Sequence, residues 1–248
     1  MTQISTVLAI IAFALAGNAR ATEVPGQGTW ETTLLGRAAS GLPVAASSSN
    51  AVFFYDTTLD VTWLRTTSSG LLNFADAQAW ASQERFGISG WRLPAMVDTG
   101  SAGCNFSLAG GTDCGQNVQT VSPDGTVVYS EMAHLYYVTL GNKAYCAPGD
   151  TVCSGPQLGY DLKNTAYFQN LTTNLYWTNL PASGTPAVFS TTTGDQYFPG
   201  GTGNVQRVIA VRSGDVLAVP EMGTTGMMLA GLAALLLLSR GRRQSILR

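Results

Sequence analysis

The run Ala51-Val52-Phe53-Phe54-Tyr55 is followed, after the polar residues Asp56-Thr57-Thr58, by Leu59-Asp60-Val61-Thr62-Trp63-Leu64. Both runs are rich in β-branched and aromatic residues, and the polar residues between them are typical of a turn. The sequence therefore predicts two adjacent strands joined by a short turn. We expect this pair to open a domain that spans residues 50–216.

Two helices are predicted within this domain. Asn73 is a suitable N-cap residue with Asp76 in the first turn, and this helix is expected to end near Phe86, before a glycine. A second helix is predicted to follow Ser130 and to end at Gly141-Asn142. Its apolar stripe consists of Met132, Leu135, Tyr136 and Thr139.

The remaining strand-like runs are short and separated by irregular segments. They are residues 29–35, 90–94, 166–168, 175–178, 187–190 and 205–211. Two helices among many short strands indicate an α+β fold with a small mixed or antiparallel sheet and long loops. Trp63, Trp91 and Trp177 lie in these strand blocks, and we expect them in the core and not on an exposed sugar-binding surface.

Four cysteines follow the N-terminal segment, namely Cys104, Cys114, Cys146 and Cys153. Four cysteines allow three pairings. Each nearby pair brackets a loop rich in Gly, Asp or Pro, which favours Cys104–Cys114 and Cys146–Cys153. The spacings are wider than those of a zinc knuckle, so the sequence favours disulfide-braced loops over a zinc site.

Both ends of the chain carry features of an exported protein. Val7 to Ala16 is a short apolar stretch, and Ala19-Arg20-Ala21 has the small-x-small pattern of a signal peptidase site, so residues 1–21 are predicted to be a signal peptide cleaved after Ala21. Near the other end, residues 223–239 are predicted to form a single transmembrane helix. Arg240, Arg242 and Arg243 follow it and would stay in the cytoplasm, which places the domain outside.

The charge balance excludes one class of partner. Residues 22–221 contain eight basic and fifteen acidic residues, hence a formal net charge of −7. An acidic surface repels phosphate backbones, so we expect no nucleic-acid partner. Residues 22–49 within this region are rich in small residues, and we expect an extended N-terminal arm there.

His134 is the only histidine, so a histidine base or metal site would have to use it. Glu131 lies three residues earlier on the same predicted helix, and the two side chains are weak candidates for metal ligands. No second histidine completes a zinc-type set. We therefore predict no catalytic residues, no cofactor and no metal, and favour a structural role for the pair.

Several blocks of the chain resemble the bacterial Lcl C-terminal domain family, also called DUF1566. They are Phe54 to Leu64, Ala75 to Trp80, Gly90-Trp91-Arg92-Leu93-Pro94, Glu131 to Asn142, Leu175 to Thr178 and Val208 to Asp215. The resemblance implies a fold similar to C-type lectins and to the formylglycine-generating enzymes. In that fold, a small sheet is flanked by two helices, with long loops on one side.

The C-terminus, residues 217–248, is similar to the PEP-CTERM sorting signal that exosortases read. Val219-Pro220-Glu221 precedes the apolar helix and the arginines follow it, although Met222 stands where the second proline is usual. The resemblance implies a Gram-negative bacterium and a precursor anchored in the inner membrane. Signal peptidase and an exosortase would process this precursor and release it to the cell surface or the exopolysaccharide matrix.

These observations favour an exported, non-enzymatic binding module that contacts polysaccharide or a surface protein through its cysteine-braced loops. Loops held by disulfides lose less entropy when they bind a ligand. Two alternatives stay open at this point. One is a metal- or copper-dependent oxidase related to the formylglycine-generating fold, and the other is a purely structural matrix protein.

Overall fold

The computed structural model describes residues 23–96, 104–118, 130–179, 186–199 and 203–216. The helices are α1 (Trp30–Thr33), α2 (Phe74–Ala81) and α3 (Glu131–His134), the last continued by a π-helical segment (Leu135–Thr139). The strands are β1 (Leu34–Arg37), β2 (Phe53–Asp56), β3 (Val61–Leu64), β4 (Phe106–Ser107), β5 (Cys114–Gln116), β6 (Leu175–Thr178), β7 (Ala187–Ser190), β8 (Asp195–Tyr197) and β9 (Val211–Ser213). Short strands and few helices confirm the α+β prediction.

The first sheet has the strand order β1-β2-β3-β9, and all its neighbours are antiparallel. Its centre is the predicted hairpin, in which Phe53 pairs with Leu64 and Asp56 with Val61. Asp56 Oδ1 accepts hydrogen bonds from the backbone N–H of Thr58 at 3.0 Å and of Leu59 at 3.3 Å. A carboxylate that satisfies the N–H groups of its own turn stabilises that turn. The prediction of two strands around this turn is confirmed.

The N-terminal segment contributes to this sheet. The predicted strand over 29–35 is wrong in its first half, because Thr29 O accepts from Thr32 N and Thr33 N at 3.0 Å and closes the turn of α1. β1 then pairs with β2. Arg37, at the end of β1, forms an ion pair with Asp215 at 2.7 Å. Part of the predicted arm therefore belongs to the folded domain.

Helix α2 begins as predicted but ends earlier. Asp76 N donates to Asn73 Oδ1 at 2.9 Å, which confirms the cap. The predicted end near Phe86 is wrong, since Arg85 and Ile88 exchange backbone hydrogen bonds of 3.0 and 2.9 Å. Phe86 and the next residue, Gly87, both have positive φ, as a tight turn of this kind requires and a helix does not allow.

The block Gly90 to Pro94 is extended, but it is not the predicted strand. Arg92 exchanges backbone bonds of 2.8 and 2.9 Å with Val211 in the first sheet. Two residues later, Pro94 O accepts from Asn179 N at 2.7 Å, beside the end of β6. The block therefore contains only one isolated bridge, between Arg92 and Val211, and Ala95 just beyond the proline bridges to Asn179.

The second sheet has the order β4-β5-β8-β7-β6. The predicted strands at 175–178 and 187–190 are confirmed as β6 and β7. The predicted strand at 205–211 is wrong over most of its length, because this segment forms isolated bridges and contributes only its last residue to β9. The predicted strand at 166–168 is wrong, because Phe168 N donates to Thr165 O in a turn. The described residues thus form two sheets where the sequence predicted one.

The second predicted helix is confirmed as α3 and its π-helical continuation. Leu140 N donates to Leu135 O at 2.8 Å, the five-residue spacing of a π-helix. All four residues of the predicted stripe are buried. Two apolar clusters draw side chains from both sheets, and Trp63, Trp91 and Trp177 lie within them, as predicted.

Among the described residues, no helix is long and apolar enough to cross a membrane. The predicted signal peptide (1–21), sorting signal (217–248) and transmembrane helix (223–239) lie outside the described residues.

Candidate functional site

Both predicted disulfides are present. Cys104 pairs with Cys114 at a Cα–Cα distance of 5.4 Å, and Cys146 pairs with Cys153 at 5.3 Å. Cys114 and Cys146 are completely buried, so each bridge ties a surface loop to the interior. Of the three pairings that four cysteines allow, the structure has the one that the sequence favoured.

The two disulfide loops are joined to each other. Gly149 N, inside the second loop, donates to Ala109 O in the first at 2.7 Å. The Asn117 side-chain amide donates to Leu108 O at 3.1 Å and to Cys146 O at 3.0 Å. We call residues 104–118 and 143–157 together the braced-loop region. Its hydrogen bonds make one unit of two segments that are distant in the sequence.

A cavity of about 530 Å³ lies in this region. It is lined by Asn117, Val118, Tyr137, Val138, Asn142, Lys143, Ala144, Pro148 and Gln157. Its volume falls within the range of pockets that hold small ligands. The lining combines four apolar side chains with amide, phenol and ammonium groups, the mixture expected of a site that orients a polar ligand against an apolar wall.

Two amide side chains of the lining are fixed by hydrogen bonds to the backbone. Gln157 Nε2 donates to Ala144 O at 2.8 Å and to Cys146 O at 2.9 Å. Asn117 uses its own amide N–H groups on Leu108 and Cys146. Both side chains therefore keep their amide oxygens as acceptors, held in place before any ligand arrives.

Tyr137 is a neutral, rigid part of the lining. Its hydroxyl donates to Gly194 O and accepts from Asn117 N at 3.0 Å. Burial raises the pKa of Tyr137 far above its ordinary value, so the phenol stays protonated at neutral pH. Gly194 has φ +71°, and a Cβ there would lie 2.5 Å from the Tyr137 hydroxyl, so the close approach requires glycine.

Lys143 is the only residue of the lining with a charge at neutral pH, and it is exposed. Among the described residues it has no ion-pair partner. Asp161, which pairs with the Lys143 backbone, has its carboxylate 3.8 Å from Lys163 Nζ. The cavity therefore presents one positive charge in a domain with an excess of acids.

Glu131 and His134 are not part of this cavity. Arg92 Nη1 and Nη2 each bind one Glu131 carboxylate oxygen at 2.7 Å, and Ala95 N donates to Glu131 Oε2 at 2.6 Å. These bonds raise the pKa of Arg92, since Glu131 stabilises its charged form. The Glu131 carboxylate is thus committed to Arg92 and Ala95, which favours the structural role.

His134 is buried, and burial lowers its pKa, although nearby Asp56 opposes the shift. In the described part of the chain, no group of three His, Cys, Asp or Glu side chains is arranged to hold a metal ion. Glu131 and His134 share the short helix α3, as predicted.

The sequence indicated the two loops as a binding surface but not the residues of the cavity. Asn117 and Gln157 lie three and four residues beyond the second cysteine of each pair. Amide residues just outside a braced loop are a pattern that the sequence shows, whereas no local pattern indicates Tyr137.

Comparisons with protein-family models, with curated proteins and with solved structures give no match to this chain.

Proposed function

We propose that this protein is an exported, non-enzymatic binding module that holds a polysaccharide in the cavity of the braced-loop region. The observation that carries the proposal is the cavity itself, about 530 Å³ in volume and lined by residues with fixed amide side chains beside apolar residues. Sugars present hydroxyl groups around a ring with apolar C–H faces. They therefore fit a wall that combines hydrogen-bond acceptors with apolar surface.

The disulfides support binding in a second way. Each closes a short loop next to the cavity, and hydrogen bonds join the two loops. A site that is already ordered loses little conformational entropy when it binds, so more of the interaction energy appears as affinity. A rigid site also suits a module that contacts an extended polymer one segment at a time.

The proposed location rests on the sequence and on the paired cysteines. All four cysteines are in disulfides, which persist in oxidising compartments outside the cytoplasm. The proposed route is cleavage by signal peptidase after Ala21, then brief anchoring in the inner membrane, and then release by an exosortase near Pro220-Glu221. The proposed destination is the surface or matrix of a Gram-negative bacterium, and the proposed fold is lectin-like.

Of the two alternatives, the oxidase has no observation in its favour. An oxidase that uses cysteine thiols would need them free, and all four cysteines are paired. The structural matrix protein requires no specific ligand, and the binding experiment below separates it from the proposal.

The test is retention of the purified full chain on exopolysaccharide from the host. Val138→Trp places a large side chain in the cavity from a half-buried position and is expected to abolish retention. Leu158→Trp is the matched control, because Leu158 is 95% exposed and lies outside the lining. Retention that is equal in both variants, or absent from the wild type, would contradict the proposal and favour a structural matrix protein.

A further inference from the structure

We propose that the cavity is selective for a sugar that carries a carboxylate, such as a uronic acid, and that Lys143 is the residue that selects it. This inference rests on the proposed function and names the class of sugar. It starts from the arrangement of one cation and two neutral acceptors in a lining without carboxylates.

The two amide oxygens determine which groups of the ligand face them. The amide nitrogens of Asn117 and Gln157 are occupied by backbone carbonyls, so each amide is oriented with its oxygen available. Among the described residues, neither oxygen accepts a hydrogen bond. A ligand must therefore present donors to them, and hydroxyl groups are the donors that sugars offer.

Lys143 requires a hydrogen-bond acceptor from the ligand, whereas the two amide oxygens require donors. An ammonium group is a donor only, so it binds oxygen acceptors and prefers a negative one. Among the described residues, no carboxylate forms an ion pair with it. Asp161 lies beside Lys163, and Asp150 Oδ1 accepts from Val152 N at 3.1 Å and from Cys153 N at 2.9 Å. A carboxylate on the sugar satisfies the remaining charge.

The net charge of the domain further restricts which acidic polysaccharides can bind. Residues 22–221 carry a formal net charge of −7, which repels a polymer with a carboxylate on every residue. A single acidic sugar, either at a chain end or separated from others by neutral sugars, gains the contact with Lys143 at a smaller electrostatic cost. We therefore infer a sparsely charged polysaccharide.

The experiment compares sugars that differ only at C6. Saturation-transfer NMR on the full chain in detergent would measure binding of glucuronate, galacturonate and mannuronate against glucose, galactose and mannose. Because Lys143 is exposed, we expect the best uronate to bind roughly three- to tenfold more tightly than its neutral parent. The difference should shrink in about 0.5 M salt, where exposed charges are screened.

Two lysine variants locate the effect. Lys143→Gln should remove the preference, so that the uronate binds no more tightly than its neutral parent. Lys143→Arg is the matched control, because it keeps the positive charge at the same position, and it should keep the preference.

The outcomes separate the two proposals. Equal binding of uronates and neutral sugars, abolished by Val138→Trp, would overturn the selectivity and leave the proposed function standing. A preference for uronates that persists in Lys143→Gln would also overturn the role of Lys143. If none of the six sugars binds a wild type that is retained on exopolysaccharide, the selectivity is wrong and the proposed function stands, whereas a wild type that is not retained overturns both.

Discussion

The sheet core and the braced-loop region are stabilised by different kinds of contact. The core is built from large apolar side chains of both sheets, among them Trp63, Trp177 and Phe189, all completely buried. The braced-loop region has two disulfides and many side-chain bonds to backbone carbonyls. A core of apolar residues fixes the overall fold, whereas the loop region can keep polar groups free for a ligand.

The ion pair between Arg92 and Glu131 should have the largest effect on the core. Glu131→Ala leaves the guanidinium and the Ala95 N–H without their acceptor, so we expect a loss of about 3 kcal/mol in the free energy of unfolding. Urea denaturation measures it. Glu84→Ala is the control, since Glu84 is exposed and outside the ion pairs of the described residues. Similar losses in both variants would show that the pair contributes little.

Removal of either disulfide should lower the stability by a similar amount, but the two removals should lower sugar binding by different amounts. Replacing both cysteines of either pair by serine should cost about 2–3 kcal/mol in the chain-entropy model, because the closed loops are similar in length. The Cys146/Cys153 variant should lose more sugar binding, since Ala144, Pro148 and Gln157 surround that bridge. Saturation-transfer titrations of both variants test this. Equal losses of binding would mean that the loops act only as a single unit.

His134 should make the core sensitive to mild acid. Burial lowers the pKa of His134 below its ordinary value of 6.5, so the unfolded chain binds this proton more readily than the native protein. Stability is then complete above about pH 6.5 and falls as the pH decreases towards the native pKa, by at most about 1.4 kcal/mol per pH unit.

Urea midpoints between pH 7 and 5 would measure this slope in the wild type and in His134→Gln. The variant should have a flatter profile, because most carboxyl groups titrate at lower pH. An identical slope in both proteins would assign the pH dependence to other groups.

The core was more predictable from the sequence than the loop region, for a physical reason. The β2–β3 hairpin, the Asn73 cap and the α3 stripe depend on residues a few positions apart, whose pattern is visible in the chain. The cavity depends on contacts over long separations. Tyr137 reaches Gly194 and Asn117 reaches Cys146, and no local pattern announces either.

The two errors in the core have different origins. The segment 166–168 has the composition of a strand, yet Ala166 has φ +44° and Asn164 Oδ1 accepts from its N–H at 2.9 Å. The 90–94 block forms no continuous strand, and its backbone partners are Val211 in the first sheet and Asn179 just beyond β6. A neighbouring side chain turns the first segment, whereas the backbone partners of the second segment lie far away in the sequence, and composition indicates neither.

The Asn73 cap should have the smallest effect and should leave the loop region untouched. Asn73→Ala removes the acceptor for Asp76 N and should cost about 1 kcal/mol of stability, measured by urea denaturation. Sugar binding should not change, because no residue of α2 lines the cavity.

Asn73→Ser is the matched control for this cap, since its hydroxyl can still accept from Asp76 N and should restore most of the loss. Asn73 also donates to Asp76 Oδ2 at 2.7 Å. If the serine variant is as unstable as the alanine variant, this second bond, and not the cap, stabilises the start of α2. A change in sugar binding in either variant would show that the core and the braced-loop region are coupled.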